Sequence, residues 1–88
     1  MNAPVYLDHN ATTPLAPGVL DTMTRYLAGE FGNPSSAHHY GHEPRLAVAT
    51  ARTQLADLLG AASDRIVFTG CGSEANTLAI SGAMASRT

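Results

Sequence analysis

The segment IVFTGCGSEANTLAI, residues 66–80, limits the possible folds of this chain more than any other stretch of the sequence. A short apolar run of strand-forming residues leads into a turn with two glycines, and a helical pattern follows. A strand that is apolar on both faces is typical of a parallel sheet, in which the crossover helix leads to a second strand. No second strand follows in this sequence. We therefore predict an α/β fold and expect the 88 residues to be part of a larger domain.

The remaining sequence predicts two more helices and one more short strand. Apolar residues at helical spacing and glycines at the helix ends support the helices, and clustered proline, serine and glycine indicate the loop. The predicted elements, in order, are a strand at 4–8, a helix from Pro17 to Gly29, a loop at 32–41, a helix from Glu43 to Leu59 with Gly60 after it, a strand at 65–68, and a helix from Ser73 to Thr88.

Composition and charge exclude several classes of protein. The hydrophobic content of 44% and the charged content of 14% argue against disorder. A net charge of -2 gives no reason to expect nucleic acid as a partner, and no apolar run is long enough to cross a bilayer. The N-terminus carries no secretory signal pattern, and a single cysteine is compatible with a reducing compartment. We therefore expect a cytoplasmic protein with neither nucleic-acid nor membrane partners.

All five basic residues are arginines, so the sequence contains no lysine. A lysine amine is the group that forms Schiff bases with carbonyl substrates and cofactors. Chemistry of that kind cannot be completed by these 88 residues alone.

The turn after residue 68 has the features of an anion site. A helix that follows a glycine-rich turn presents unpaired amides and partial positive charge, which suit a phosphate. Gly70 and Gly72 allow close approach of the backbone, and Ser73 can cap the helix and donate its hydroxyl. An ordinary capped helix start explains the pattern equally well. So does the dinucleotide fingerprint G-x-G-x-x-A, which ends here at Ala75.

Other residues near this turn are better explained by structure than by catalysis. Glu74 suits the positive end of a helix dipole, so we assign it a structural role. Cys71 is a tempting nucleophile, but a lone small cysteine beside a strand more often serves packing. The histidine-rich loop could hold a metal through His38 and His42, yet Gly41 argues against the continuous helix that this needs. We favour a loop that lines an active site, and we assign no metal.

Several stretches together resemble the beginning of the cysteine desulfurases. These are VYLDHNATTPLAPGVLDTM, FGNPSSAHHYGHEPR, ARTQLADLLGA and IVFTGCGSEANTLAI, in the family's order and spacing. The family belongs to the class V aminotransferases of fold-type I, which depend on pyridoxal 5′-phosphate. The resemblance implies that the chain is the N-terminal part of such an enzyme. It further implies that residues 1–62 join the small domain and the dimer contacts, whereas 63–88 begin the cofactor-binding large domain.

The resemblance also implies which residues form the site. Gly72 and Ser73 match the positions that bind the cofactor phosphate. The turn of Asn10, Ala11 and Thr12, together with Asn33 and His38, matches segments near the active site. The lysine, the ring-holding residues and the persulfide cysteine lie downstream in the family, so no catalytic residue falls within these 88. Cys71 is therefore not the sulfur carrier.

The implied reaction converts L-cysteine to L-alanine and passes the sulfur as a persulfide to acceptors such as iron–sulfur scaffold proteins. The enzyme is expected to be a homodimer, and the 88 residues alone are expected to be inactive. Two alternatives stay open. One is a related class V enzyme, such as a selenocysteine lyase or an aminotransferase, and the other is a non-catalytic binding module. Residues beyond 88 would separate the first from a desulfurase.

Overall fold

A computed structural model describes residues 2–86 of the chain. Its regular structure consists of helix α1 at Val19–Ala28, helix α2 at His39–Leu59, a single 3₁₀ turn at Ser63–Arg65, and helix α3 at Gly72–Ala85. Within the described residues there is no strand, so the strands predicted at 4–8 and 65–68 are wrong for this structure.

Ile66, directly after the 3₁₀ turn, has the backbone conformation of a strand residue but no strand neighbour in the described chain. Ile66 is extended, with φ −98° and ψ 125°. Strand structure requires a ladder of hydrogen bonds to an adjacent segment, and none is formed by this part of the described chain. Arg65 meanwhile closes the 3₁₀ turn, with its N–H bonded to the Ala62 carbonyl at 3.0 Å. The predicted strand is therefore wrong, and of its residues Ile66 has the extended conformation while Arg65 belongs to the 3₁₀ turn.

Residues 4–8 run into a turn that is held by a tyrosine. The Tyr6 hydroxyl lies 3.0 Å from the Asp8 carbonyl oxygen and 2.9 Å from that of Thr12, sharing its one proton between them. The Ala11 N–H also bonds to the Asp8 carbonyl at 3.1 Å. These local hydrogen bonds therefore satisfy the Asp8 carbonyl, which a strand would have offered to a neighbour.

Helix α1 begins two residues later than predicted and ends where predicted. Gly18 precedes it with φ 84°, a left-handed conformation that glycine adopts without a Cβ clash. At the other end the Gly29 and Glu30 N–H groups both bond to the Arg25 carbonyl. The Arg25 guanidinium also pairs with Glu30 at 3.1 Å, and this hydrogen bond is the main reason that the pKa of Arg25 is raised.

Helix α2 begins four residues before the predicted start. It opens at His39 and continues through Gly41 and Pro44. Proline lacks an N–H, so the Tyr40 carbonyl loses its helical donor. Gly32 lies close against that carbonyl, where any side chain would collide with it. The carbonyl that the proline leaves without a helical donor therefore faces the backbone of the preceding loop.

The end of α2 confirms the role predicted for Gly60. This residue has φ 68°, and its N–H bonds to the Asp57 carbonyl at 3.3 Å. The next amide, of Ala61, reaches back to the Ala56 carbonyl at 2.9 Å. These two bonds form a Schellman motif, which satisfies carbonyls that the helix end would leave unpaired.

The N-cap position of helix α3 is occupied by Cys71 rather than by the predicted Ser73. Cys71 is extended, with φ −166° and ψ 171°, and its side chain makes no capping hydrogen bond. The helix ends at Ala85, and Ser86 follows it. The last two residues of the predicted helix, Arg87 and Thr88, lie outside the described residues.

Little of the apolar surface is covered within the chain. Ala56, at 1% exposure, is the buried hydrophobic residue of the described part, and nineteen large hydrophobic residues are exposed. The accessible surface is 7723 Å² for 9.1 kDa. The scaling of surface with mass gives about 4,900 Å² for a folded monomer of that mass. The apolar stripes predicted from helical spacing exist, but they face solvent.

The chain divides into two compact units, Met1–Val48 and Ala49–Thr88, and the division falls inside α2. The predicted domain boundary between residues 62 and 63 concerns the whole family fold and stays a prediction. Among residues 2–86, no helix combines the length and the hydropathy needed to cross a membrane.

Candidate functional site

The turn that leads into α3 is held by two side chains. The Thr69 hydroxyl donates to the Cys71 carbonyl at 3.1 Å, and Glu74 Oε2 accepts the Gly70 N–H at 2.9 Å. Glu74 is the third residue of α3 and reaches back across the helix start, much as the glutamate of a capping box does. The carboxylate therefore fixes the backbone of the turn.

The first amides of α3 are left free. The Ala75 N–H bonds to the Cys71 carbonyl at 3.1 Å. Within the described chain, the amides of Gly72, Ser73 and Glu74 make no hydrogen bond. All three residues are exposed to solvent. Unpaired amides at the positive end of a helix dipole attract anions, so the start of α3 fits a phosphate group.

The two glycines of the turn are not required by its backbone shape. Neither has a positive φ. A Cβ on Gly72 would meet nothing within 4 Å, and one on Gly70 would lie 3.2 Å from Glu74 Oε2. The space beside Gly72 is therefore left open by the chain itself.

Ser73 is the second residue of α3, so the prediction that it caps the helix is wrong. The cap position belongs to Cys71, whose extended backbone precedes the first helical residue. The Ser73 side chain is exposed and lines a shallow depression with Glu74, Thr77, Leu78 and Ser81. Its hydroxyl makes no hydrogen bond among residues 2–86 and can donate to a ligand.

Cys71 is exposed, which contradicts the prediction that it serves packing. As described above, it also makes no hydrogen bond at the helix start.

The turn at residues 9–11 and the next residue, Thr12, contain the first group of predicted active-site residues. The Ala11 and Thr12 N–H groups bond to the Asp8 carbonyl at 3.1 and 3.4 Å. His9 Nδ1 lies 2.8 Å from the Thr13 hydroxyl. Asn10, at the tip of the turn, is exposed. Asn10 and Ala11 thus lie in the turn and Thr12 directly follows it, and their role at an active site stays a prediction.

Asn33 and His38 both lie in the loop that precedes α2. Asn33 Oδ1 accepts the Ser35 N–H at 2.8 Å, so this side chain is used within the loop. The His38 ring meets the Tyr40 ring edge-on, with centroids 6.1 Å apart. Because α2 begins at His39, His38 and His42 do not share one helix. No group of three or more potential metal ligands occurs among residues 2–86.

Two arginines of α2 make contacts that the sequence pattern did not predict. Arg45 donates to the Pro34 carbonyl at 3.0 Å and to the Ser36 carbonyl at 2.5 Å. Arg52 Nε donates to the Ile66 carbonyl at 3.2 Å, and its guanidinium lies 5.0 Å from the Phe68 ring centroid. The spacing of Arg52 from Val48 and Ala56, four residues each way, was the available signal, because it places an arginine on the least exposed face of α2.

Comparison with known proteins gives a consistent result. The family model "Aminotransferase class-V" matches residues 5–88. The chain is 50% identical over 82 residues to "Cysteine desulfurase IscS" of Dictyoglomus turgidum, covering 93% of this chain and 21% of that protein. It is 51% identical over 86 residues to "Cysteine desulfurase" of Bradyrhizobium diazoefficiens, covering 97% of this chain and 22% of that one. The chain thus spans about a fifth of the length of these relatives. No solved structure matches it.

Proposed function

Since the chain belongs to the aminotransferase class-V family, we propose that it forms the N-terminal part of a cysteine desulfurase and holds the phosphate of pyridoxal 5′-phosphate at Gly72 and Ser73. The family depends on this cofactor. The observation that carries the proposal is the group of free amides at the start of α3, in a chain half identical to proteins named cysteine desulfurase.

The residues of this chain suit the phosphate for three reasons. The Gly72 and Ser73 amides donate to phosphate oxygens, and the dipole of α3 favours their negative charge. The Ser73 hydroxyl adds a donor from the same helical turn. Glu74 is the one negative charge at the turn, and its bond to the Gly70 amide directs the carboxylate toward that residue.

The proposed activity of the whole protein is conversion of L-cysteine to L-alanine, with the sulfur passed on as a persulfide. The cofactor, when bound, supplies an electron sink for this chemistry. The chain contributes the phosphate site, and because it contains no lysine, the cofactor's anchoring amine lies outside these 88 residues. Assembly as a homodimer, a cytoplasmic location and transfer of sulfur to an iron–sulfur scaffold protein are part of this proposal.

The test uses a chimera in which this chain replaces the matching segment of the Dictyoglomus turgidum relative. In that protein we expect Ser73→Ala to weaken binding of pyridoxal 5′-phosphate by about tenfold to a hundredfold, because a hydrogen bond to a charged group is lost. Ser73→Thr keeps the hydroxyl and is the matched control, with an affinity close to that of the parent. The dissociation constants are measured by titration of the cofactor absorbance.

Two results would contradict the proposal. One is a folded chimera that binds no pyridoxal 5′-phosphate, and the other is equal affinity in the alanine and threonine variants. A folded chimera that binds a nicotinamide dinucleotide at this turn would favour the dinucleotide fingerprint instead.

A further inference from the structure

We propose that Arg52 is a positioning residue for the phosphate-binding turn at residues 70–73. It holds the extended segment that leads into the turn, and it does so from α2. The inference rests on the proposed function, because it assigns a purpose to the geometry of that turn.

Arg52 contacts the segment at two points. Its Nε donates to the Ile66 carbonyl at 3.2 Å, and its guanidinium carbon lies 5.0 Å from the centroid of the Phe68 ring. The side chain is half-buried, in a chain whose surface is mostly exposed. One guanidinium therefore fixes the main chain at residue 66 and the side chain at residue 68.

The chemistry of these contacts requires an arginine. A guanidinium is planar, so it can donate a hydrogen bond in its plane while its face lies on an aromatic ring. A lysine ammonium is a point charge without this flat shape. Arg52 also takes no part in the ion pair found among residues 2–86, which joins Arg25 and Glu30. Its positive charge therefore interacts with the Ile66 carbonyl and the Phe68 ring.

The position of these contacts connects Arg52 to the turn. One residue, Thr69, separates Phe68 from Gly70, so holding 66 and 68 sets the direction in which the chain enters the turn. The Thr69 hydroxyl then holds the Cys71 carbonyl, and Glu74 holds the Gly70 amide from the helix side. The turn is thus fixed before its first glycine and after its last. Amides bind a phosphate well when they are held in place beforehand.

The experiment compares Arg52→Met with Arg65→Met in the chimera described above. Arg65→Met removes the same charge from an exposed residue whose side chain makes no hydrogen bond, ion pair or ring contact in the described structure. The first measurement, without cofactor, is hydrogen exchange at the Gly70 and Ala75 amides, the two bonded amides that close the turn. We expect both amides to exchange about tenfold faster in Arg52→Met than in the parent, which corresponds to a loss of about 1.4 kcal/mol of local stability. In Arg65→Met we expect their exchange rates to be unchanged.

The second measurement separates positioning from a general structural role. Pyridoxal lacks the phosphate group of pyridoxal 5′-phosphate, so only the phosphorylated form reports on the turn. We expect Arg52→Met to weaken binding of the phosphorylated form about tenfold, equivalent to 1.4 kcal/mol, and to leave pyridoxal binding within about twofold. Arg52→Lys keeps the charge over the ring without the planar donor, so its losses fall between those of Arg52→Met and the parent.

Unchanged exchange at Gly70 and Ala75 would overturn the proposal, and so would an equal loss of affinity for both forms of the cofactor. If Arg52→Met does not fold, Phe68→Leu removes the ring contact alone and carries the same expectation at a smaller magnitude. If the parent chimera binds no cofactor while Arg52→Met still speeds exchange at the turn, the proposed function fails and the positioning role stands.

Discussion

Two pairs of glycines in this molecule differ in the space available for a side chain. Gly32 and Gly41 lie where the loop before α2 meets that helix, and a Cβ on either would collide with a backbone carbonyl, of Tyr40 or of Ser36. Gly70 and Gly72 lie at the start of α3, where a Cβ would meet only the end of the Glu74 side chain or nothing. The first pair is required by contacts within the chain, and the second is not.

The difference shows what a glycine-rich motif can mean. At Gly32 and Gly41 the missing side chains let two parts of the backbone touch. At Gly72 the missing side chain leaves room that the chain does not use, next to amides without partners. Such room suits the close approach of a ligand, and this supports the phosphate site proposed above.

The largest effect on stability is expected when one glycine of each pair is replaced by alanine. In the chimera, Gly41→Ala should lower the free energy of unfolding by about 1–3 kcal/mol, because the Ser36 carbonyl must move. Gly72→Ala should raise it by up to about 1 kcal/mol, because the new methyl is unobstructed and alanine favours helices. Urea unfolding of the two variants measures both. A similar loss in both would remove the distinction between the pairs.

A smaller effect is expected from the arginine that secures the first region. Arg45→Met removes two hydrogen bonds to the carbonyls of Pro34 and Ser36. Because Arg45 is exposed, we expect a loss of about 1 kcal/mol in the free energy of unfolding. Arg65→Met, at an exposed site whose side chain makes no hydrogen bond or ion pair in the described structure, should change stability by less than about 0.5 kcal/mol. Equal results for both variants would show that Arg45 does not hold the loop.

The smallest effect is expected at Glu74. Glu74→Gln keeps an oxygen that can accept the Gly70 N–H but removes a negative charge from the start of α3. We expect a loss of about 0.3–1 kcal/mol in stability, because the favourable interaction with the helix dipole disappears. Binding of pyridoxal 5′-phosphate should tighten about twofold, because a nearby like charge is gone. A tenfold weaker affinity in the titration would contradict this view of the carboxylate.

Helix ends were predicted better than helix starts, and the contacts explain why. The ends of α1 and α2 depend on Gly29 and Gly60 and on bonds that span at most five residues. The start of α2 instead depends on Arg45, which reaches back eleven residues to Pro34, and on the contact of Gly32 with Tyr40. A local pattern contains the first kind of information and lacks the second. The strands failed for the same reason, since their partners are not among the described residues.

The site shows the same division between local and distant information. The turn and its free amides could be predicted from a few consecutive residues, although the cap is Cys71 rather than Ser73. The spacing of Arg52 in α2 could indicate a shielded arginine, but its partner could not be predicted, because the Ile66 carbonyl lies fourteen residues away. The class V aminotransferase resemblance is confirmed by the family match. The active-site roles of Asn10, Ala11, Thr12, Asn33 and His38 stay predictions.

The scarcity of buried apolar surface has a thermal consequence for the chain on its own. The heat capacity of unfolding comes mainly from apolar groups that enter water when structure is lost, and ordinary domains show about 12–15 cal/mol/K per residue. Among residues 2–86, nineteen large hydrophobic residues already face water. Calorimetry of the isolated 88 residues should therefore show a shallow and gradual heat uptake, and a sharp endotherm should emerge only when other polypeptide covers these side chains.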